Sequence, residues 1–189
     1  HVGTLGAVVV YLWRDVWAMI GGLGRAMKGR RDPGAKLAGF LVLGTIPVVA
    51  AGYALNHYIP NGIRGLDVIA WTTLGFGILL LVADKVGMTL RRIEHLRFGD
   101  VLIIGLVQAL ALIPGTSRSG ICMTAGRMMG MERRDSARFA MLLGIPAIAG
   151  AGVLKGWELY RSGDAQITAD AMLASGLAFV TALIAIALM

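Results

Sequence analysis

A polar loop inside an apolar stretch constrains this chain more than any other feature. Residues 114–120 read PGTSRSG and directly follow the uncharged run 101–113. Arginine at membrane depth costs about 2.5–3.5 kcal/mol on insertion scales, and non-helical backbone is tolerated there only inside protein or beside a watery cavity. We therefore expect the loop to form a site. Its guanidinium, hydroxyl and backbone N–H groups favour an anion as the ligand.

The composition predicts a polytopic α-helical membrane protein. Of the 189 residues, 57% are hydrophobic and 15% are charged, whereas a soluble domain carries about 25% charged residues. The net charge of +7 lies in the connections between apolar runs, which is typical of membrane topology rather than of nucleic-acid binding. Cys122 is the only cysteine and the three histidines form no ligand motif, so we predict neither an intrachain disulfide nor a metal site in this stretch.

Five apolar segments are predicted to cross the membrane. They are residues 1–13, 37–56, 66–83, 139–154 and 171–189. The second has about twenty uncharged residues, enough to cross a core of about 30 Å. The chain begins and ends inside apolar runs, and we treat residues 1–189 as an internal fragment of a single membrane domain.

Residues 99–131 are predicted to enter the membrane and return. Residues 99–113 allow about fifteen helical residues, or roughly 22 Å, and a second short apolar stretch follows the loop at 121–131. A re-entrant hairpin keeps the arginines on both sides of it in the cytoplasm. The helices at 1–13 and 139–154 then run in opposite directions, which indicates an inverted repeat. The predicted fold is an all-α, polytopic, inverted-repeat helical bundle with a re-entrant hairpin.

A row of apolar side chains in the first basic connection has two interpretations. Trp17, Ile20, Leu23 and Met27 follow a helical spacing beside several basic residues. They fit an interfacial amphipathic helix that touches anionic lipid. They also fit a cytoplasmic helical loop whose basic residues only follow from the membrane topology. The pattern by itself favours the second.

The polar loop also has two interpretations. As a phosphate cradle, Arg118 grips two phosphate oxygens, and Ser119 and Gly120 open a helix whose amino terminus favours an anion. Ser117 or Ser119 then donates to phosphate or acts as a nucleophile. As a packing element, the hydroxyls join helices and Arg118 snorkels or pairs with a carboxylate. An arginine, a proline and two glycines together favour the cradle.

Residues 105–120, GLVQALALIPGTSRSG, closely resemble the second signature of bacterial undecaprenyl-pyrophosphate phosphatases, the bacitracin-resistance membrane proteins. The stretches MMGM at 128–131, RFAMLLGIP at 138–146 and HVGTLGAVVV at 1–10 are also similar to that family. The resemblance covers essentially the whole chain.

The resemblance implies hydrolysis of undecaprenyl pyrophosphate to undecaprenyl phosphate and phosphate. That reaction recycles the lipid carrier for peptidoglycan synthesis, and so serves cell-wall biogenesis and cell shape, and confers bacitracin resistance. It implies a multi-pass protein of the bacterial cytoplasmic (inner) membrane with a polyprenyl diphosphate substrate, membrane lipids around it and no nucleic acid. A homodimer is left open.

Site residues follow from the same resemblance. Ser117, Arg118 and Ser119 fall on the phosphate-binding serine–arginine–serine positions and are the catalytic candidates. The substrate-binding candidates are Gly115, Thr116 and Gly120. The family's acidic ExxxE helix would precede His1, so any divalent cation, Mg²⁺ or Ca²⁺, is expected to be held there, and this fragment alone is expected to be inactive.

Two positions depart from the family pattern. Gln108 mirrors an acidic residue of the first repeat and cannot supply a carboxylate. Cys122 stands where a threonine or serine is common, and a thiol is a weak donor; we predict that it packs rather than attacks. Thr124 lies too far round a helix to replace it. Other functions compatible with the loop are a transporter or flippase that uses it as an anion site, and a non-catalytic membrane scaffold.

Overall fold

The chain folds into helices joined by short connections. The computed structural model describes residues 2–58, 65–87, 89–162 and 165–188. The helices are α1 (Val2–Tyr11), α2 (Trp13–Ala26), α3 (Pro33–Tyr58), α4 (Leu66–Val86), α5 (Phe98–Gln108), α6 (Arg118–Met128), α7 (Arg133–Ser162) and α8 (Ala165–Ala187). Within the described ranges the only β-type pairing is an isolated bridge between Arg91 and Met131. The all-α prediction is confirmed.

Four helical segments are long and apolar enough to cross a membrane. They are Pro33–Tyr58, Leu66–Val86, Arg133–Val153 and Asp170–Ala187. The last four predicted segments fall on these helices, so each of them is helical and long enough to cross. At most 33% of the apolar window of each helix is buried inside the protein, so most of these apolar side chains are left to face lipid. The chain is a multi-pass membrane protein.

The first predicted span, residues 1–13, is only partly right. His1 lies outside the described residues, and α1 has 10 residues, about 15 Å of helix, which is too short to cross a bilayer. The chain then bends by 82° into α2. Among the described residues, four helices are long and apolar enough to cross a membrane, and the candidate spans number up to five if α1 and α2 count as one bent span.

Two compact units make up the described chain: residues His1–Lys36 with Gly144–Met189, and residues Leu37–Leu143. In the first unit, α1 packs along α8, and a Cβ at Gly3 would overlap the Ser175 carbonyl oxygen. Gly3 and Ala7 are the buried residues of α1, and this small-residue spacing lets two helices approach closely.

The second unit is organised by a close helix contact. A Cβ at Gly105 on α5 would lie 2.6 Å from the Gly44 carbonyl oxygen on α3, so the two backbones touch and only glycine fits. The buried apolar residues of the second unit are Leu41, Val48, Ala83, Ile93, Leu96, Val101, Ile104, Ile121, Cys122, Ala125, Met131, Phe139, Ala140, Leu142 and Leu143.

The segment from α5 to α6 forms a hairpin whose two ends meet. The Arg91 N–H donates to the Gly130 carbonyl and the Glu132 N–H donates to the Arg91 carbonyl, both at 2.9 Å. The chain therefore leaves the hairpin beside the point where it entered. The polar loop lies at the opposite end of α5 and α6. The depth of this hairpin in the membrane and the inverted repeat stay predictions.

A buried arginine locks the base of the hairpin. Arg127 is 3% exposed and donates to the carbonyls of Met131 at 2.5 Å, Asp84 at 2.9 Å and Gly87 at 3.0 Å. Its Nε lies 3.2 Å from the Asp84 carboxylate. The sequence pattern suggested a basic connection here, but the residue is instead buried and joins the end of α6 to the end of α4.

We predict that both ends of the hairpin face the cytoplasm. Cysteines placed one at a time at Glu94 and Glu132, in a Cys122→Ser background, should both react with a membrane-impermeant maleimide from the cytoplasmic side, because the segments that carry them are hydrogen-bonded together. The Cys122→Ser parent is the unlabelled control. Labelling of the two positions from opposite faces would contradict the re-entrant hairpin.

Candidate anion site

The polar loop reverses direction at Pro114 and Gly115. The Thr116 N–H donates to the Ile113 carbonyl at 3.1 Å, and Gly115 has a φ of 89°. Proline at the second position and a glycine of positive φ at the third define a type II turn. A Cβ at Gly115 would also lie 2.6 Å from the Ile69 carbonyl oxygen. Gly115 is therefore needed for the turn and for its contact with α4.

Two threonines of α4 hold this turn in place. The Thr72 hydroxyl lies 2.6 Å from the Pro114 carbonyl oxygen and 2.7 Å from that of Val68, and its single proton can serve only one of them at a time. The Thr73 hydroxyl donates to the Gly115 carbonyl at 3.1 Å. Carbonyls outside a helix need such donors in a medium without water. The loop position thus depends on α4.

The first turn of α6 presents an anion-binding geometry. Ser117 is its N-cap, with Oγ accepting from the Gly120 N–H at 3.2 Å, so α6 begins at Arg118, slightly earlier than predicted. The Ser119 Oγ lies 3.4 Å from the Ser117 Oγ, and both side chains are exposed. N–H groups of a first helical turn lack intrahelical acceptors, and the helix dipole favours negative charge there.

Two buried donors of the loop have no hydrogen-bond partner. They are the Arg118 Nη1 and the Thr116 Oγ1; Thr116 is 9% exposed. Buried polar atoms are paired in the large majority of cases, and an unsatisfied one costs about 1–3 kcal/mol. An anion at the amino terminus of α6 would satisfy the guanidinium, whose charge makes it the stronger of the two donors. Arg118 therefore has the chemistry of a ligand-binding residue.

Behind the loop, Gln108 connects three helices. Its Nε2 donates to the Gly44 carbonyl of α3 at 3.2 Å, and its Oε1 accepts from the Cys122 Sγ of α6 at 3.7 Å. Gln108 is 0% and Cys122 2% exposed. The thiol thus packs against an amide inside the protein, as expected, and is not placed to attack a substrate. Thr124 donates to the Gly120 carbonyl of its own helix at 2.9 Å, so its hydroxyl does not take the place of one at position 122.

The described side chains offer no cradle for a divalent cation. Among residues 2–58, 65–87, 89–162 and 165–188, no three His, Cys, Asp or Glu side chains converge as metal ligands. Near the hairpin base, Asp100 pairs with Arg91, and Asp84 pairs with Arg127 and with Arg133. The cation and its ligands stay a prediction.

The loop brings all six predicted site residues together, and the structure adds two that the sequence did not reveal. Gly115 forms the turn. Gly120 leaves room for the capping serine, since a Cβ at Gly120 would lie 3.2 Å from the Ser117 Oγ. The additional residues are Thr72 and Thr73. Their one sequence signal is a pair of adjacent hydroxyls in an otherwise apolar span, which gives no indication of what they bind.

We predict that Gly115→Ala destabilises the protein. A non-glycine residue at positive φ costs about 1–2 kcal/mol, and the added methyl would collide with α4. The thermal midpoint in detergent should fall by at least about 4 °C. Gly77→Ala on α4, where a Cβ meets no atom within 4 Å, is the matched control and should not lower it. An unchanged midpoint for Gly115→Ala would contradict the docked turn.

Comparison with known proteins identifies the family of this chain. The sequence model of the family described as bacitracin resistance protein BacA matches residues 1–189. Undecaprenyl-diphosphatase 1 of Rhodospirillum rubrum is 54% identical over 190 residues, covering 100% of this chain and 67% of the relative. The undecaprenyl-diphosphatases of Ruegeria pomeroyi and Jannaschia sp. are 50% and 48% identical, each with 100% of this chain and 72% of the relative covered. The chain belongs to the bacitracin resistance protein BacA family.

Proposed function

We propose that this protein is a membrane hydrolase that converts undecaprenyl diphosphate into undecaprenyl phosphate and inorganic phosphate. Its similarity to undecaprenyl-diphosphatases across the whole chain supports that activity. The observation that carries the proposal is the buried, unpartnered Nη1 of Arg118 at the amino terminus of α6. The reaction releases the monophosphate carrier for another round of peptidoglycan synthesis and underlies bacitracin resistance.

The reaction breaks the anhydride bond between the two phosphorus atoms. Water adds to the terminal phosphorus, and the bridging oxygen leaves with the lipid monophosphate. Charge increases on that oxygen as the bond breaks, and catalysis of phosphoryl transfer consists mainly of positioning and of stabilising such charge. Arg118 can hold non-bridging oxygens through two N–H groups at once. The N–H groups of the first α6 turn add donors that are fixed before the substrate arrives.

The two exposed serines have a supporting role in this scheme. Ser117 caps α6 with its lone pair, which leaves its proton free to donate to a phosphate oxygen. Ser119 lies 3.4 Å away and can donate to the same phosphate group. Thr116 adds a buried hydroxyl beside them.

A hydrolase agrees with the comparisons better than a transporter or flippase does, since the named relatives are undecaprenyl-diphosphatases. The same names argue against a non-catalytic scaffold. We place the protein in the bacterial cytoplasmic membrane, with a divalent cation, Mg²⁺ or Ca²⁺, held by carboxylates outside the described residues. A homodimer also stays part of the proposal. No step is assigned to the cation, because the described residues do not form its site.

We predict that Arg118→Ala in the full-length protein lowers turnover of undecaprenyl diphosphate by at least about a hundredfold. One well-placed donor to a developing oxyanion contributes on the order of 3–4 kcal/mol, and each 1.4 kcal/mol or so is a factor of ten. Arg118→Lys should recover little, because an ammonium cannot reproduce two parallel N–H bonds. Phosphate release from radiolabelled substrate is the measurement.

The exposed Arg134 provides the matched control. Arg134→Ala removes the same charge at the start of α7 and should retain turnover within about twofold, since surface substitutions away from a site have small effects. A folded Arg118→Ala protein with near-wild-type turnover would show that Arg118 is a packing residue.

We predict that Thr72 and Thr73 are positioning residues. Each hydroxyl contributes a hydrogen bond of about 1 kcal/mol to the docked loop, so Thr72→Val and Thr73→Val should each reduce kcat/KM about five- to tenfold. Thr72→Ser should restore activity because it restores the hydroxyl. Thr181→Val on α8, where the hydroxyl bonds only within its own helix, should change little. Equal activity of Thr72→Val and Thr72→Ser would contradict a role for the hydroxyl.

A further inference from the structure

One helix of the first unit has an exposed face that hydrolysis does not use. The apolar row of α2, which we define as Trp13, Trp17, Ile20, Leu23 and Met27, falls within an arc of about 120° at 100° per residue. All five side chains are exposed; Trp17 is 65% and Met27 89% exposed. Two tryptophans, an isoleucine, a leucine and a methionine thus form one continuous strip that the described part of the chain leaves exposed.

A second face of α2 is packed and fixes the helix. A Cβ at Gly22 would lie 2.5 Å from the Ala35 amide nitrogen in the first turn of α3. Asp32 caps α3 by accepting from the Gly34 N–H at 2.8 Å, and it also accepts from the Arg25 Nε at 2.6 Å. The hydrogen bond from Arg25 lowers the pKa of Asp32, so this link remains ionised at neutral pH. The helix cannot rotate its apolar row inward.

The surroundings of α2 are basic: Arg14 and Arg25 lie on the helix, and the other basic residues follow it in the connection or at the start of α3. Residues 2–36 contain six Lys or Arg and two Asp, namely Arg14, Arg25, Lys28, Arg30, Arg31, Lys36, Asp15 and Asp32. Asp15 is buried, and Asp32 is engaged by Arg25. The exposed charge around α2 is therefore almost entirely positive, and this surface attracts anions.

The direction of α2 also fits a membrane surface. α1 is apolar along its length and packs along α8, which is long and apolar enough to cross a bilayer. The bend of 82° between α1 and α2 turns the chain almost perpendicular to α1. A helix that leaves a membrane-embedded segment at this angle lies nearly parallel to the membrane plane. Tryptophan prefers that depth, with its ring in the apolar region and its N–H near water.

We propose that α2 is an interfacial helix that binds anionic phospholipid, with its apolar row inserted below the headgroups and the basic residues on it and just after it against their phosphates. An apolar strip, interfacial tryptophans and neighbouring Lys and Arg residues are the features of helices that lie in the plane of a membrane. The exposed row and the bend favour this arrangement over the water-facing cytoplasmic loop that the sequence pattern alone favours.

The test uses tryptophan fluorescence in the full-length protein reconstituted in nanodiscs. Trp13, Trp71 and Trp157 are changed to Phe, which leaves Trp17 as the only tryptophan of residues 1–189; any tryptophan elsewhere in the full-length chain is changed likewise. Two lipid mixtures contain the same mole fraction of a brominated quencher, either phosphatidylglycerol or phosphatidylcholine, in unlabelled phosphatidylcholine. Bromine near the headgroup should quench Trp17. The anionic quencher should be at least about twice as effective, because each basic residue near the surface favours anionic lipid about fivefold.

Two matched variants isolate the causes. Lys28→Gln/Arg30→Gln/Arg31→Gln, and separately 1 M salt, should each lower the preference for the anionic quencher while Trp17 stays quenched by both lipids. A protein that retains only Trp71, which is exposed on the membrane span α4, should be quenched equally by the two lipids. If the single-Trp17 protein does not fold, a bimane fluorophore on a cysteine at Ile20, in a Cys122→Ser background, gives the same readout.

Three results would overturn the proposal. Trp17 open to aqueous acrylamide and untouched by brominated lipid would place α2 in water. Protection from acrylamide without quenching by lipid would mean that protein, such as a second copy of the chain, covers the row. Equal quenching of Trp17 by both lipids in the parent would remove the anionic specificity. None of these readouts depends on phosphatase activity, so they test α2 independently of the proposed reaction.

Discussion

The site depends on one constraint: carbonyls that leave a helix in an apolar medium must find donors from the protein. The turn at Pro114 and Gly115 cannot satisfy its own carbonyls as a helix would. Thr72 and Thr73 supply hydroxyls from a neighbouring span at 2.6 and 3.1 Å, and the positive φ of Gly115 allows the backbones to come that close. With the carbonyls satisfied, the following residues can begin a helix whose free N–H groups point at a ligand.

The arginines at the two ends of α6 illustrate opposite uses of the same side chain. Arg127 donates to three carbonyls, and its charge is paired with the Asp84 carboxylate, which lies 3.2 Å from the Nε, although the Nε makes no hydrogen bond. Arg118 keeps a buried nitrogen without a protein partner. A guanidinium whose charge is paired with a carboxylate stabilises structure, whereas Arg118, for which the described residues provide no ion pair, has capacity for an anionic ligand. Gln108, between the helices, holds α5 and α6 together through an amide that carries no charge.

Much of this arrangement could be predicted from the sequence, because membrane thickness translates apolar length directly into topology. The spans α3, α4, α7 and α8 follow from uninterrupted apolar runs, and the break after residue 113 follows from a short run that ends in Pro114 and Gly115. The chemistry of the loop could also be predicted, since an arginine among serines is costly in apolar surroundings unless it binds something. The end of the first helix could not be predicted, because the apolar pattern continues through the sharp bend after α1.

What the sequence could not reveal is which groups meet across helices. Thr72, Thr73 and Arg127 are ordinary residues in their own segments, and their roles come from partners about 40 positions away. Arg127 lies close in sequence to the exposed Arg133 and Arg134, and no local pattern distinguishes it from them. Its burial depends on the closing of the hairpin, a long-range contact that no local pattern encodes. The same limit applies to Gln108, whose partners Gly44 and Cys122 lie on separate helices.

The position of Arg118 depends on how firmly α6 is held at its two ends. Arg127 holds one end, and Arg118 lies nine residues toward the other, about 14 Å away at 1.5 Å per residue. A tilt of about 4° about the base of the hairpin moves the guanidinium by about 1 Å, an error that can reduce a positioned reaction about a hundredfold. Contacts with α4 at both ends of α6, through Arg127 at one end and through Thr72 and Thr73 beside the loop at the other, therefore keep the guanidinium within that tolerance.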